Sequence, residues 1–110
     1  MATAVRRDVR LDTLGRVGTA MADGVRRQIL VQLLDGPSYP ADLADAMGEG
    51  RANVSNHLAC LRGCGLVRAT REGRQIRYAI ADRTLIRALR LLCELDLAVE
   101  PGHIDLDDRQ

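Results

Sequence analysis

The sequence has no lysine, no tryptophan and no phenylalanine, and its only aromatic residues are Tyr39 and Tyr78 in a chain of 110 residues. A core without large rings must be assembled from Leu, Val, Ile, Ala and Met, and a partner chain can complete part of it. No stretch approaches the roughly 20 consecutive apolar residues of a membrane span. The opening MATAVRRDVRLD likewise has no apolar run of the kind a secretory signal carries. A soluble, cytoplasmic protein that does not engage a membrane is therefore expected. Three cysteines, Cys60, Cys64 and Cys93, are too few and too odd for a disulfide framework, which leaves burial, metal binding or redox sensing as their roles. There is no phosphate-cradling glycine loop and no nucleophile arrangement of Ser, His and Asp. Neither His57 nor His103 has an evident catalytic partner, so an enzyme is not expected.

The length allows one domain. Its formal net charge of +1 hides an asymmetry, because all the basic residues are arginines and they are unevenly placed. From Arg51 to Arg77 six arginines (51, 62, 68, 71, 74 and 77) face the single acid Glu72, a local +5. From Glu94 to Asp108 six acids have no base to offset them, a local −6. The middle of the chain favours a polyanion and the end does not.

Hydrophobic spacing gives the order of elements. A first helix is expected over about Val9–Met21, with Leu11, Leu14, Val17 and Gly18 on one side. Asp23 is an N-cap for a second helix, whose stripe Val25, Ile29, Leu30, Leu33 and Leu34 is closed by Asp35-Gly36-Pro37. Pro40 suits the first turn of a short third helix with Leu43, Ala44 and Met47 inward and Gly48 at the exit. A fourth helix begins near Arg51 and repeats Val54, Leu58 and Leu61. The period then changes to two, with Val67 and Ala69 before Glu72-Gly73 and Ile76, Tyr78 and Ile80 after it, as in a β-hairpin with an Arg-rich outer face. Asp82 caps a last helix expected to run through Leu85, Ile86, Leu89, Leu92, Cys93 and Leu95 to Leu97 and to end at Pro101-Gly102. That helix is apolar around much of its circumference and wants a partner on more than one side.

These elements make a mainly α fold with a β-hairpin wing (α+β), a winged helix-turn-helix. Residues 1–99 form the domain, and 100–110 form an acidic tail. A helix followed by a basic hairpin offers two contacts to double-stranded DNA, one in the major groove and one along the backbone. On the fourth helix Val54, Leu58 and Leu61 fall on one arc, while Ala52, Ser55, Asn56 and Ala59 fall opposite, a small polar surface able to approach base edges. Ser55 and Asn56 are the base-contact candidates, with Arg51 and Asn53 beside them. Arg71, Arg74, Gln75 and Arg77 are the phosphate candidates on the hairpin. His57, at the edge of the apolar arc, is expected to make a structural hydrogen bond. Any one of these residues alone reads as ordinary surface; their consecutive order points to DNA.

Cys60 and Cys64 are four residues apart, so both lie on one face of the fourth helix, where their sulfurs can converge on one ion. The partial negative charge of a helix C-terminus favours a bound cation there. Free cysteines are more often small buried hydrophobes, and that reading stands beside the metal one.

The run RANVSNHLACLRGCGLVRATREGRQIRYAIAD resembles the recognition helix and wing of the ArsR/SmtB family, and the resemblance extends with less specificity from about Leu14 to Val99. Within it, LACLRGCGLV looks like a cadmium- and lead-sensing branch, in which two cysteines at the end of the recognition helix and a third from the C-terminal tail bind the ion. Cys60 and Cys64 match the first two positions. At the third, this chain has Asp105, with His103 nearby. A carboxylate or imidazole in place of a thiolate implies a shift from Cd or Pb toward Zn. Cys93 matches no ligand position of that branch and is expected in the core, though it stays open as the third ligand. The cysteine box of the family's arsenic sensors and the paired His and acid ligands of its zinc sensors are absent. The resemblance implies a homodimer built on the first and last helices, repression without metal, and release of operator DNA when metal binds. The competing expectations are a regulator of the same fold that senses thiol oxidation or no ligand, and a winged-helix protein-interaction module.

Overall fold

The computed structural model describes residues 8–103, so Asp105 lies outside the described residues. Five helices and one hairpin follow in order: α1 (Val9–Met21), α2 (Gly24–Leu34), α3 (Pro40–Met47), α4 (Arg51–Gly63), β1 (Val67–Glu72), β2 (Gln75–Ile80) and α5 (Arg83–Cys93). This is the winged helix-turn-helix architecture, with α3 and α4 as the helix pair and the antiparallel hairpin as the wing.

Three helices start on an aspartate. Asp8 accepts the Arg10 N–H, Asp23 accepts those of Val25 and Arg26, and Asp82 accepts that of Leu85, each filling orphan donors of a first turn. At Asp8 the Arg10 guanidinium and N–H hold the carboxyl below its ordinary range. Helix α3 has no side-chain cap and relies on Pro40, whose fixed φ suits a first turn. It leaves through Gly48 at φ +66, a left-handed exit that lets the Glu49 N–H return to the Ala44 carbonyl at 3.0 Å. In the hairpin, Gly73 at φ +60 precedes an arginine of negative φ, the combination of a II′ turn, whose twist matches the two strands.

The core lies beneath α4. Ile29, Leu30 and Leu33 of α2, Leu43 and Ala44 of α3, Val54, Leu58 and Leu61 of α4, and Leu66, Val67, Tyr78 and Ile80 around the wing base are all buried. Full burial of each large aliphatic side chain contributes about 1.5–3 kcal/mol. The Ser38 and Tyr78 backbones exchange hydrogen bonds of 2.9 and 2.8 Å, stitching the α2–α3 loop to β2. The Arg90 guanidinium donates to the Leu34 carbonyl at 2.9 Å, so α5 closes the exposed end of α2.

One expectation about the elements is corrected. Helix α5 stops at Cys93 rather than Leu97, and Pro101-Gly102 plays no part in ending it. Glu94 and Leu95 donate back three residues, to Leu91 and Leu92, tightening the chain out of the helix. Glu94 and Asp96 put negative charge at the negative helix end, and Leu95, Leu97 and Val99 stay exposed, with nothing among the described residues covering them. The Leu11–Leu14 side of α1 faces away from the core of the chain. Both residues are about two-thirds exposed, and the helix docks instead through Ala20 and Met21.

Candidate nucleic-acid interface and metal centre

Helix α4 presents two chemically different sides. Val54, Leu58 and Leu61 are sealed in the core, and Ala52, Ser55, Asn56 and Ala59 are exposed. Arg51 is exposed at the helix start. Asn53, also exposed, donates from its amide to Glu49 Oε1 at 3.0 Å, which holds it against the turn after α3.

His57 fixes this helix to the rest of the motif. Its Nδ1 lies 3.4 Å from the Arg26 guanidinium, and its Nε2 lies 3.8 Å from Asp23 Oδ1. A guanidinium can only donate, so the contact is a hydrogen bond when Nδ1 carries no proton. Arg26 also donates to the Ala20 and Thr19 carbonyls at 3.0 and 2.9 Å, so α1, α2 and α4 meet at one polar node. Burial alone would raise the Asp23 carboxyl. The Arg26 N–H, the His57 ring, the Arg26 side chain and the Val25 N–H outweigh it and leave the group below its ordinary value. Sequence reasoning placed Asp23 and His57 but missed Arg26. The signal was there: a cation in a first helical turn opposes the helix dipole unless it serves another purpose.

On the wing the pairing register decides which side chains share a face. Val67, Ala69 and Arg71 oppose Ile80, Tyr78 and Ile76, while Arg68, Thr70 and Glu72 oppose Ala79, Arg77 and Gln75. The basic residues are thus divided, with Arg71 on the core-side face and Arg68 and Arg77 on the outer one. Arg71, Arg74 and Gln75 are exposed. Arg77 stands differently, because its Nε is 3.0 Å from Glu72 Oε2, and the other oxygen of that carboxylate accepts the Tyr39 hydroxyl at 2.6 Å. The bond to Glu72 pushes the Tyr39 hydroxyl above its usual value. The contact of Tyr39 with Glu72 was not expected from the sequence, since it joins residues 33 apart and follows no local pattern.

Cys60 is exposed in the last turn of α4. Cys64 is the residue just past the helix, yet it keeps a helical backbone and its N–H reaches the Cys60 carbonyl at 3.0 Å, which preserves the four-residue register. It is half-buried against the core. Cys93 does not sit in the core as expected. It is exposed at the end of α5, on the rim of an apolar hollow of about 150 Å³ between α1, α2 and α5, because the helix ends there and turns its last residue out. His103 is exposed beyond it. Among the described residues no three His, Cys, Asp or Glu side chains gather around one point. The described part of the chain thus has two thiols in helical register at the end of α4 and brings no third such side chain beside them.

No helix among the described residues is long and apolar enough to cross a membrane. The sequence profile of the bacterial regulatory protein arsR family matches residues 23–69, from the α2 cap into β1. The chain is 58% identical over 93 residues to the HTH-type transcriptional regulator CmtR of Mycobacterium tuberculosis, covering 84% of this chain and 79% of that one. It is 40% identical over 90 residues to the regulator NmtR of the same organism, covering 82% and 72%. The NMR structure of the cadmium metal-sensor CMTR from M. tuberculosis superposes with a TM-score of 0.66 at 57% identity, covering 83% of this chain and 95% of that one. A homodimeric winged helix-turn-helix DNA-binding domain from Mycobacterium bovis, a possible ArsR-family regulator, superposes with a TM-score of 0.76 at 37% identity, covering 84% and 87%.

Proposed function

The chain belongs to the arsR family of bacterial regulatory proteins, and from that premise we propose that it is a metal-responsive transcriptional repressor. As a cytoplasmic homodimer it binds operator DNA, and it releases the DNA when Cys60 and Cys64 take up a thiophilic ion. It is a DNA-binding regulator and not an enzyme. The observation that carries the metal reading is the cysteine pair in helical register at the end of α4, in a chain similar to a cadmium metal-sensor.

Each element has a task in this scheme. The small outward arc of α4 lets Ser55 and Asn56 reach base edges, with Arg51 and Asn53 at the groove entrance. Arg71, Arg74 and Gln75 reach phosphates, and Arg77 does so once it leaves Glu72. Dimerisation uses α1 and α5, whose Leu11, Leu14, Leu91 and Leu92 are exposed in the single chain. Cys60 and Cys64 would hold the ion, giving up their protons as they bind, so uptake weakens as pH falls. A bound Cd, Pb or Zn ion supplies a cross-link between segments and no catalysis. The third donor is Asp105, His103 or Cys93, from the same chain or its partner.

The test is a titration of the purified dimer with Cd and with Zn, following sulfur-to-metal ultraviolet absorption alongside operator affinity. A saturable band and parallel loss of DNA binding are expected, both abolished by Cys60→Ser or Cys64→Ser, with apo affinity kept. Truncation after Val99 sorts the third donor: a full response from the shortened protein assigns it to Cys93. Operator release on oxidation with no metal band would support the thiol-oxidation alternative instead.

A further inference from the structure

We propose that Glu72 is a built-in competitor of the DNA backbone for Arg77, a residue that sets how strongly the wing grips any duplex. Glu72 is the single acid among the six arginines between positions 51 and 77, and it stands at the wing tip on the same face as Arg77. It opposes Gln75 while Arg77 opposes Thr70, so the two are diagonal neighbours across the strands, a reach that long side chains bridge. The contact is made: Arg77 Nε lies 3.0 Å from Glu72 Oε2.

The carboxylate is also held from its other side. The Tyr39 hydroxyl donates to Oε1 at 2.6 Å, and Tyr39 is the N-cap residue of α3, next to the Ser38–Tyr78 backbone bridge. Glu72 is therefore placed by the body of the domain and not only by the wing. An arginine fork binds a carboxylate and a phosphate by the same chemistry, so Arg77 cannot give its Nε to both. With both side chains about 40% exposed, the pair is weak enough for a phosphate to displace it. The consequence is an arginine whose contact with DNA is always discounted by the carboxylate it must leave. The discount falls on sequence-independent affinity, the term that base contacts do not supply. This rests on the wing touching phosphates, and the experiment separates the two.

Wild type, Glu72→Gln, Arg77→Ala, the double variant and Arg74→Ala are titrated onto a random-sequence duplex by fluorescence anisotropy between 50 and 200 mM NaCl. Glu72→Gln should bind more tightly than wild type. Arg77 makes its phosphate contact in both proteins, so the gain lies in affinity and not in the number of contacts: the two salt slopes should run nearly parallel, each steeper by about 0.9 than that of Arg77→Ala. In the Arg77→Ala background the gain should vanish. A gain of equal size with and without Arg77 would mean that Glu72 acts only through general repulsion of DNA and would overturn the proposal. So would weaker binding by Glu72→Gln, which would make Glu72 a residue that positions Arg77 for DNA. If Arg74→Ala and Arg77→Ala both leave affinity and salt slope at wild-type values, the wing does not reach DNA, and the wing reading fails with this proposal.

Discussion

Asp23 is the residue at which stability and the placement of the reading helix meet, and its replacement has a calculable outcome. In Asp23→Ala the N–H groups of Val25 and Arg26, now satisfied at 2.8 and 3.0 Å, lose their acceptor, and the His57 ring loses the carboxylate that its Nε2 faces at 3.8 Å. Loss of an N-cap side chain costs about 1 kcal/mol, within a range of roughly 0.5–2. The His57 contact is too long for a hydrogen bond and adds at most a few tenths on this scale. The expected loss is about 1–1.5 kcal/mol, which lowers Tm by roughly 4–12 °C in a domain of this size. Asp23→Asn keeps a capping acceptor and should lose only a few tenths. Because the folded-state carboxyl titrates below its ordinary value, the charge stabilises the fold at pH above the unfolded value of 3.8, and that contribution is lost as pH falls through the lower folded value. Urea unfolding followed by circular dichroism, at fixed protein concentration from pH 7 to pH 3, measures all three proteins. The gap between wild type and Asn should be flat at neutral pH and close below about pH 4. An Ala variant as stable as wild type, or a gap that persists unchanged to pH 3, would refute the capping argument.

Two other outcomes follow from exposure and register. Leu92→Glu should give monomers by sedimentation while the chain stays folded, because Leu92 is 46% exposed in the single chain, whereas Leu89→Glu should unfold it, because Leu89 is 5% exposed and belongs to the core; a Leu92→Glu dimer would place the interface elsewhere. Arg74→Ala should weaken operator and random duplex alike and flatten the salt dependence, while Asn56→Ala should lower their ratio by about 1–3 kcal/mol; equal losses on both DNAs would remove Asn56 from the base-reading set.

Most of the architecture was legible because its signals are local. Asp23 and Asp82 announce helix starts, Gly48 an exit, and Glu72-Gly73 a change of strand, each through a preference acting within four residues. The end of α5 was not legible, because the apolar period continues through Leu95 and Leu97 while the helix itself stops where no described residue is left to pack on. Cys93 was misjudged for the same reason: periodicity assigns a face, and what covers that face depends on where the helix ends. The Arg26–His57 and Tyr39–Glu72 contacts span 31 and 33 residues and obey no spacing rule, so the place of Arg26 in a first helical turn could mark it as unusual but only the fold could reveal the partners. The thiol pair was visible as a spacing. Its third donor was not, since that depends on a tail or a partner rather than on a period.

The position of the cysteine pair also constrains how its occupancy could reach DNA. Helix α4 is held from beneath by Val54, Leu58 and Leu61, all fully buried, and through His57 by the node on α2, so it moves as a rigid body or not at all. Cys60 is four residues beyond Asn56, about 6 Å along the axis at 1.5 Å per residue, and a tether there cannot reshape the reading surface from within. What it can change is placement. Cys64 stands three residues before β1, and the joint between them is fixed at Leu66, whose carbonyl accepts the Ala81 N–H at 2.9 Å at the base of the wing. Cys60 and Cys64 thus sit where recognition helix and wing meet, and a third donor from a tail or a partner chain would load both elements together. In a homodimer the spacing of two α4 helices must match half-sites about one helical turn apart, so a small rotation of each reader costs affinity without breaking any contact inside the chain. Linkage of this kind is typically worth about 1–3 kcal/mol, a 5- to 150-fold loss of operator affinity. If Cys60 and Cys64 take up an ion as proposed, reciprocity requires the operator-bound dimer to hold it more weakly by that same factor.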